Sequence, residues 1–257
     1  MDRGVNEKSV RYGRERYVMA VVFFGGVLYL SGGYLLLRNV WNPANAGSWM
    51  LTGGLTLVFI VWRIAVAFTK EPRNLPQVFF PGLANCLTIA RGLLICGLTG
   101  FLFSEWPPGI YAWVPGFLFC LSLLLDILDG HLARHRNETS AFGEFLDRDF
   151  DAMGTLAASF LIVHYQLAPG WYVMIGMLYY IFCGAHWLRE KMGQPVYPLL
   201  SSRFRKYAAA VQFVYMGVVL MPLPLLPEPA LIGAMVALPV AGGFLRDWRS
   251  VTGHGRG

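Results

Sequence analysis

Charge is scarce in this 257-residue chain: only 14% of its residues are charged, against roughly 25% in an ordinary soluble domain. That scarcity, with 56% hydrophobic residues, excludes an intrinsically disordered chain or a coiled coil. Cysteine is scarce too. Cys86, Cys96, Cys120 and Cys183 stand apart, with no Cys-x-x-Cys or Cys/His spacing, which excludes a disulfide-stapled module and a thiolate metal site. They read instead as small apolar side chains in or beside apolar runs. Gly-x-Gly-x-x-Gly, a Walker loop, Gly-x-Ser-x-Gly and His-Glu-x-x-His are all missing, which removes the commonest nucleotide-binding, hydrolase and zinc-protease signatures.

What is abundant is apolar sequence in long blocks. Eight are present: Tyr17–Leu37, Trp49–Thr69, Leu83–Phe103, Ile110–Asp129, Asp147–Leu167, Trp171–Leu188, Tyr207–Leu223 and Pro229–Leu245. Each is near the length a helix needs to cross about 30 Å of hydrocarbon at 1.5 Å per residue. None shows the short alternating pattern of a membrane β-barrel strand. The expected fold is therefore all-α, a polytopic transmembrane bundle of about eight spans. The first block exceeds the apolar core of a cleaved signal peptide, so it is expected to remain as a span. Paired glycines at Gly25-Gly26, Gly32-Gly33 and Gly53-Gly54 read as points of close helix packing.

Charge distribution orients this bundle. With eight spans, 18 of the 21 Lys and Arg residues fall on the side that holds both termini. Arg38 falls on the other side, and Arg63 and Arg91 lie within spans. The positive-inside rule makes the crowded side cytoplasmic. The net charge of +6 is explained by topology and anionic headgroups, and calls for no nucleic acid.

Acidic residues concentrate in one stretch, Asp126-Ile-Leu-Asp129-Gly130-His-Leu-Ala133-Arg134, followed after eight residues by Gly143-Glu-Phe-Leu-Asp147-Arg-Asp-Phe-Asp151. Asp126 and Asp129 share a helix face at the end of the fourth block. Asp147 and Asp151 share one at the start of the fifth. A connection of about a dozen residues makes the two helices antiparallel neighbours, so the pairs can converge. Four carboxylates at a membrane edge repel one another and are costly to desolvate, so cations must offset them. Hard divalent ions with oxygen ligands fit, and four Asp suffice for two ions acting on a phosphoryl group. Gly130 leaves room for a diphosphate, Arg134 offers it a planar fork of donors, and Gly143 leaves similar room on the second helix. A cation pathway or proton relay would also cluster Asp in a membrane, but has no need of the Gly-Ala-Arg spacing. Asp149 lies on another face than Asp147 and Asp151 and reads as solvated or paired with Arg148.

The arrangement resembles the signature of the CDP-alcohol phosphotransferase family, Asp-x2-Asp-Gly-x2-Ala-Arg-x8-Gly-x3-Asp-x3-Asp. All eight fixed positions are filled, and Asn85-x2-Thr88-x2-Arg91 forms a second family-like element upstream. The resemblance implies a six-helix core over residues 81–257. Residues 1–80 would then be a basic leader and two additional transmembrane helices. It further implies two divalent cations, Mg²⁺ or Mn²⁺, held by Asp126, Asp129, Asp147 and Asp151. Asn85, Thr88, Asp129, Gly130, Ala133, Arg134 and Gly143 would bind the CDP moiety, and Asp151 would take the proton of an acceptor hydroxyl. Arg91, Arg205 and Lys206 are the expected acceptor or headgroup contacts.

The activity so implied is phospholipid synthesis: a phosphatidyl group passes from CDP-diacylglycerol to an alcohol of the glycerol phosphate or inositol type, and CMP is released. A CDP-choline or CDP-ethanolamine transfer to diacylglycerol is the alternative within the family. A non-catalytic or transporting membrane protein with an Asp-rich cation site is the alternative outside it. Membrane lipids are the expected surroundings, and the resemblance allows a homodimer. The expected location is the bacterial inner membrane, with both termini and the active site facing the cytoplasm.

Overall fold

The computed structural model describes residues 3–70, 82–136, 140–195, 197, 203–223 and 229–252, with the side chains of 3–12, 133, 136, 203 and 229 excepted. Among the described residues there are eight α-helices and no strand: α1 (Arg3–Leu37), α2 (Pro43–Lys70), α3 (Leu83–Thr99), α4 (Val114–Arg136), α5 (Ala141–His164), α6 (Val173–Lys191), α7 (Arg203–Val219) and α8 (Pro229–Val251). Short 3₁₀ turns extend α3 at its end and lead into α4 and α6.

Local chemistry sets several of these limits. Asn42 caps α2 by accepting from the Ala44 N–H at 3.0 Å, and Pro43 occupies the first helical position, where its missing N–H costs nothing. Ser140 caps α5 by accepting from the Gly143 N–H at 3.0 Å. α3 tightens into a 3₁₀ turn at Gly100–Phe103 and stops before Pro107-Pro108.

Six helical segments among the described residues are long and apolar enough to cross a membrane: Gly13–Leu37, Pro43–Lys70, Leu83–Phe103, Gly109–Leu132, Gly170–Lys191 and Ala230–Val251. The protein is thus an all-α, polytopic integral membrane protein. Its outer surface agrees, since large apolar side chains such as Leu28 (75% exposed) and Leu238 (71%) face outward, where lipid rather than water covers them. Eight helices occur where eight spans were expected, but α5 and α7 do not reach the same standard. Glu144, Asp147, Arg148, Asp149 and Asp151 crowd the first half of α5, and α7 has only 17 residues.

Two compact units make up the chain. The first is Met1–Tyr111 with Leu118–Asp151, and the second is Ala112–Phe117 with Ala152–Gly257. In the first, α2 packs between α1 and α3. Trp49 of α2 is buried and donates from its indole Nε1 to the Gly97 carbonyl at 2.9 Å. One glycine of each pair gives the expected close approach: a Cβ on Gly26 would meet Leu57, one on Gly33 Trp49, and one on Gly53 the Cys96 carbonyl. Gly25, Gly32 and Gly54 face open space. In the second unit, α6, α7 and α8 pack together. Phe182 of α6 meets Phe244 and Trp248 of α8, and buried Gln212 donates to the hydroxyl of buried Tyr172.

Candidate metal and diphosphate site

All the signature positions lie within the first unit. The connection between the two halves of the Asp motif is shorter than the dozen residues expected. α4 continues to Arg136 and α5 starts at Ala141, so helix takes up half of the eight-residue spacer. Asp126, Asp129, Gly130 and Arg134 therefore share one continuous helix, and Gly143, Asp147 and Asp151 share the next.

One carboxylate oxygen each from Asp126, Asp129 and Asp147 can be chosen so that all lie within 4.8 Å of one another. Asp129 is buried and accepts from the Thr88 hydroxyl at 2.7 Å, which fixes its orientation. Asp151 joins this group through Arg91. The Arg91 side chain is only 2% exposed, and its guanidinium donates to Asp126, to Asp147 at 2.7 Å and to Asp151. It also reaches the Asp147 carbonyl at 3.3 Å. An arginine this deep in a membrane helix needs counter-charge, and three carboxylates supply it.

The donor set fits a divalent cation. It is all oxygen, as hard cations require, and it is preorganised by Thr88 and Arg91. A single guanidinium set against four carboxylates leaves most of the negative charge uncompensated, so cation binding is electrostatically favoured.

Beside the carboxylates, α3 and α5 meet at a polar contact. The Asn85 amide donates to Ser140 Oγ at 3.3 Å, and a Cβ at Gly143 would come within 2.5 Å of Asn85 Oδ1. Glycine at 143 thus leaves space that Asn85 enters. On α4, the exposed Arg134 folds back along its helix so that a Cβ at Gly130 would meet its Nη1 at 3.4 Å. Gly130 and the Arg134 fork consequently form one small polar surface next to Asp129. The Ala133 side chain lies outside the described residues.

The remaining expected contacts belong to the second unit. Arg205 of α7 donates to Asp247 of α8 at 2.6 Å, and Asp247 is buried. Lys206 is exposed. The expected Asp149–Arg148 pair is not formed. Arg148 instead reaches Glu144 one turn back at 3.7 Å, and Asp149 pairs with Arg63 of α2. The reason is helical geometry: neighbours in sequence point about 100° apart, whereas α2 lies against the face that Asp149 presents.

Two contributors escaped sequence reasoning. Ser140 holds both Asn85 and the start of α5; a serine immediately before a helical run is an N-cap signal that would have found it. Arg63 was legible as a charge in an apolar helix in need of a partner, but nothing in the sequence pointed to Asp149, 86 residues away.

An all-α membrane bundle with a partly buried carboxylate cluster defines a class, the integral membrane proteins with an acidic site that could hold a divalent cation. The sequence profile of the CDP-alcohol phosphatidyltransferases matches residues 82–244, and the chain belongs to that family of transferases. It is similar to cholinephosphotransferase 1 of Danio rerio, 33% identical over 115 residues, covering 40% of this chain and 30% of the relative. It is also similar to the CDP-diacylglycerol–glycerol-3-phosphate 3-phosphatidyltransferases of Bacillus subtilis (strain 168) and Salmonella choleraesuis (strain SC-B67). The first is 38% identical over 58 residues, 23% of this chain and 30% of the relative. The second is 35% identical over 97 residues, 36% of this chain and 49% of the relative. The matches thus span half or less of these curated relatives.

Proposed function

We propose that this protein transfers a phosphatidyl group from CDP-diacylglycerol to an alcohol acceptor, releasing CMP, at the cytoplasmic face of a bacterial inner membrane. The observation that carries this reading is the convergence of the four signature carboxylates, three of them on Arg91 and Asp129 beside Asp126 and Asp147. A transporter's cation site would have no use for the polar surface of Gly130 and Arg134 beside it. In this reading all eight helices cross or enter the membrane, with the two that precede residue 81 added to a six-helix catalytic core. Asp126, Asp129, Asp147 and Asp151 would hold two Mg²⁺ or Mn²⁺ ions. When bound, these ions supply charge neutralisation for the diphosphate and for the leaving CMP.

The chain's own residues do the rest. Asn85, Thr88, Asp129, Gly130, Ala133, Arg134 and Gly143 seat the CDP moiety. Asp151 accepts the proton of the acceptor hydroxyl as that oxygen bonds to the β-phosphorus. The bond from that phosphorus to the CMP oxygen breaks, and CMP leaves. Arg91, bonded to Asp126, Asp147 and Asp151 together, holds the base in a fixed position relative to the metal ligands.

Within the expected glycerol phosphate or inositol type, a glycerol phosphate acceptor is supported by the two bacterial relatives, whose names specify glycerol-3-phosphate. Arg205 and Lys206 are our candidates for its phosphate, with Asp247 holding Arg205 in place. The fish relative supports a second reading, CDP-choline-type transfer to diacylglycerol. Purified protein offered CDP-diacylglycerol with glycerol phosphate, inositol, inositol phosphate and serine, or CDP-choline with diacylglycerol, distinguishes the two by mass spectrometry of the lipid products. A phosphatidyl product from the first set is expected; a phosphocholine lipid alone would favour the second reading.

Two substitutions test the nucleotide contacts. Arg134→Lys keeps the charge but loses the planar fork, so affinity for CDP-diacylglycerol by calorimetry should fall about tenfold. An unchanged affinity would make Arg134 a topological residue. Gly143→Ala forces the Asn85 amide to swing away from its place beside Ser140. Losing one polar contact to a charged ligand also predicts roughly tenfold weaker CDP binding. Because only the end of a side chain must move, the melting temperature in detergent should change little. A large drop in melting temperature with unchanged CDP affinity would show a packing role instead.

A further inference from the structure

α2 lies outside the segment that matches the family, residues 82–244, yet it makes an ion pair with the helix that carries two of the signature carboxylates. Arg63 donates to Asp149, and both side chains are mostly buried, at 20% and 14% exposure. The Arg63 guanidinium also stacks over the Phe145 ring, one turn earlier on α5, at 4.6 Å. Further along α2, Phe68 meets Phe142 with ring centroids 4.7 Å apart. The same helix therefore touches α5 at three positions over two turns.

Asp149 lies two residues from both Asp147 and Asp151, about 200° around the helix from each. α5 is thus held by two arginines from different sides. Arg91 of α3 takes the face with Asp147 and Asp151, and Arg63 of α2 takes the face with Asp149. Between them, Phe150 is fully buried, and its ring lies where a Cβ on Gly92 would approach within 3.0 Å. Rotating α5 about its axis would break both ion pairs and drive Phe150 out of its slot. An unpaired charge in this setting is costly, so the paired rotation is favoured.

We propose that Arg63 is a positioning residue for the metal site: by pairing with Asp149, the additional helix α2 fixes the rotation of α5 at which Asp147 and Asp151 face Asp126 and Asp129. This rests on the metal-binding reading above, and it gives the N-terminal extension a role in the site.

The test uses the full chain in detergent, with Mn²⁺ binding followed by electron paramagnetic resonance. The neutral pair Arg63→Gln with Asp149→Asn leaves no lone charge, so the protein should fold. Its Mn²⁺ dissociation constant should rise about tenfold while its melting temperature stays within a few degrees of the parent. The exchanged pair Arg63→Asp with Asp149→Arg should recover most of the affinity. A folded neutral pair that binds Mn²⁺ as the parent does would overturn the proposal, leaving Arg63 a purely structural partner.

A second readout needs no metal. Asn85→Cys with Gly143→Cys, in a Cys86→Ala background, should form a disulfide when α5 is correctly set against α3. Removal of the Arg63–Asp149 pair should sharply reduce its yield; an equal yield would overturn the proposal. A parent protein that binds no Mn²⁺ yet shows this pair-dependent cross-link would overturn the metal reading alone and leave the setting of α5 intact.

Discussion

Asp151→Asn is expected to lower turnover by about 10²–10⁴-fold, the usual contribution of a positioned general base, while leaving CDP-diacylglycerol bound. Asparagine keeps the shape of the side chain and one acceptor oxygen, which can still face the Arg91 guanidinium. Asp151 also stands apart from the three residues whose carboxylate oxygens lie within 4.8 Å of one another, so metal affinity should fall less than in Asp126→Asn. Asp126→Asn should behave differently. It removes one of those three residues and one of the Arg91 acceptors, so Mn²⁺ and CDP-lipid affinity should fall together. Turnover, Mn²⁺ binding and CDP-lipid binding, measured on both variants after a thermal check of folding, separate the roles. Near-parental turnover in Asp151→Asn would remove it as the base. An equal loss of CDP binding in both would mean that the carboxylates cannot be divided into base and donor-site ligand.

Metal removal should have the other large effect. Without cations, a diphosphate would meet four carboxylates, of which Arg91 pairs with three, and like-charge repulsion opposes its entry. Chelation by EDTA should therefore reduce CMP release by at least about 10³-fold, since removal of one oxyanion donor alone typically costs about 10²–10³-fold. Excess Mg²⁺ or Mn²⁺ should restore it. Full activity in chelator would contradict the assignment of the Asp cluster as a metal site.

Much of this was legible in the sequence because the constraints are local. Apolar blocks of membrane length dictate helices whatever their partners, and each expected block lies largely within an observed helix or its flanking turns. The Asp spacings of three and four residues place each pair on one face of its helix without reference to the rest of the fold. Arg91 could be read as needing an acid, since a buried guanidinium has few other stable settings. What stayed hidden depends on which face of one helix meets another. Asp149 looked like a partner for Arg148 because the two adjoin in sequence, yet its partner came from α2. Thr88 looked like a nucleotide contact, and the structure adds a bond from its hydroxyl to Asp129. The expected connection of about a dozen residues is shortened, because α4 runs on to Arg136 and α5 begins at Ala141.

The proposed reaction moves the β-phosphoryl group with its lipid to an alcohol oxygen. The most direct measurement follows CDP-diacylglycerol labelled at the β-phosphorus, with purified protein, Mn²⁺ and the acceptor that gives product in the panel. The label should appear in the new phospholipid in a one-to-one ratio with released, unlabelled CMP, and both should form about 10²–10⁴-fold more slowly in Asp151→Asn. A folded, Mn²⁺-binding protein that releases no CMP with any acceptor, or that leaves the label in phosphatidic acid at the same rate with and without acceptor, would contradict it.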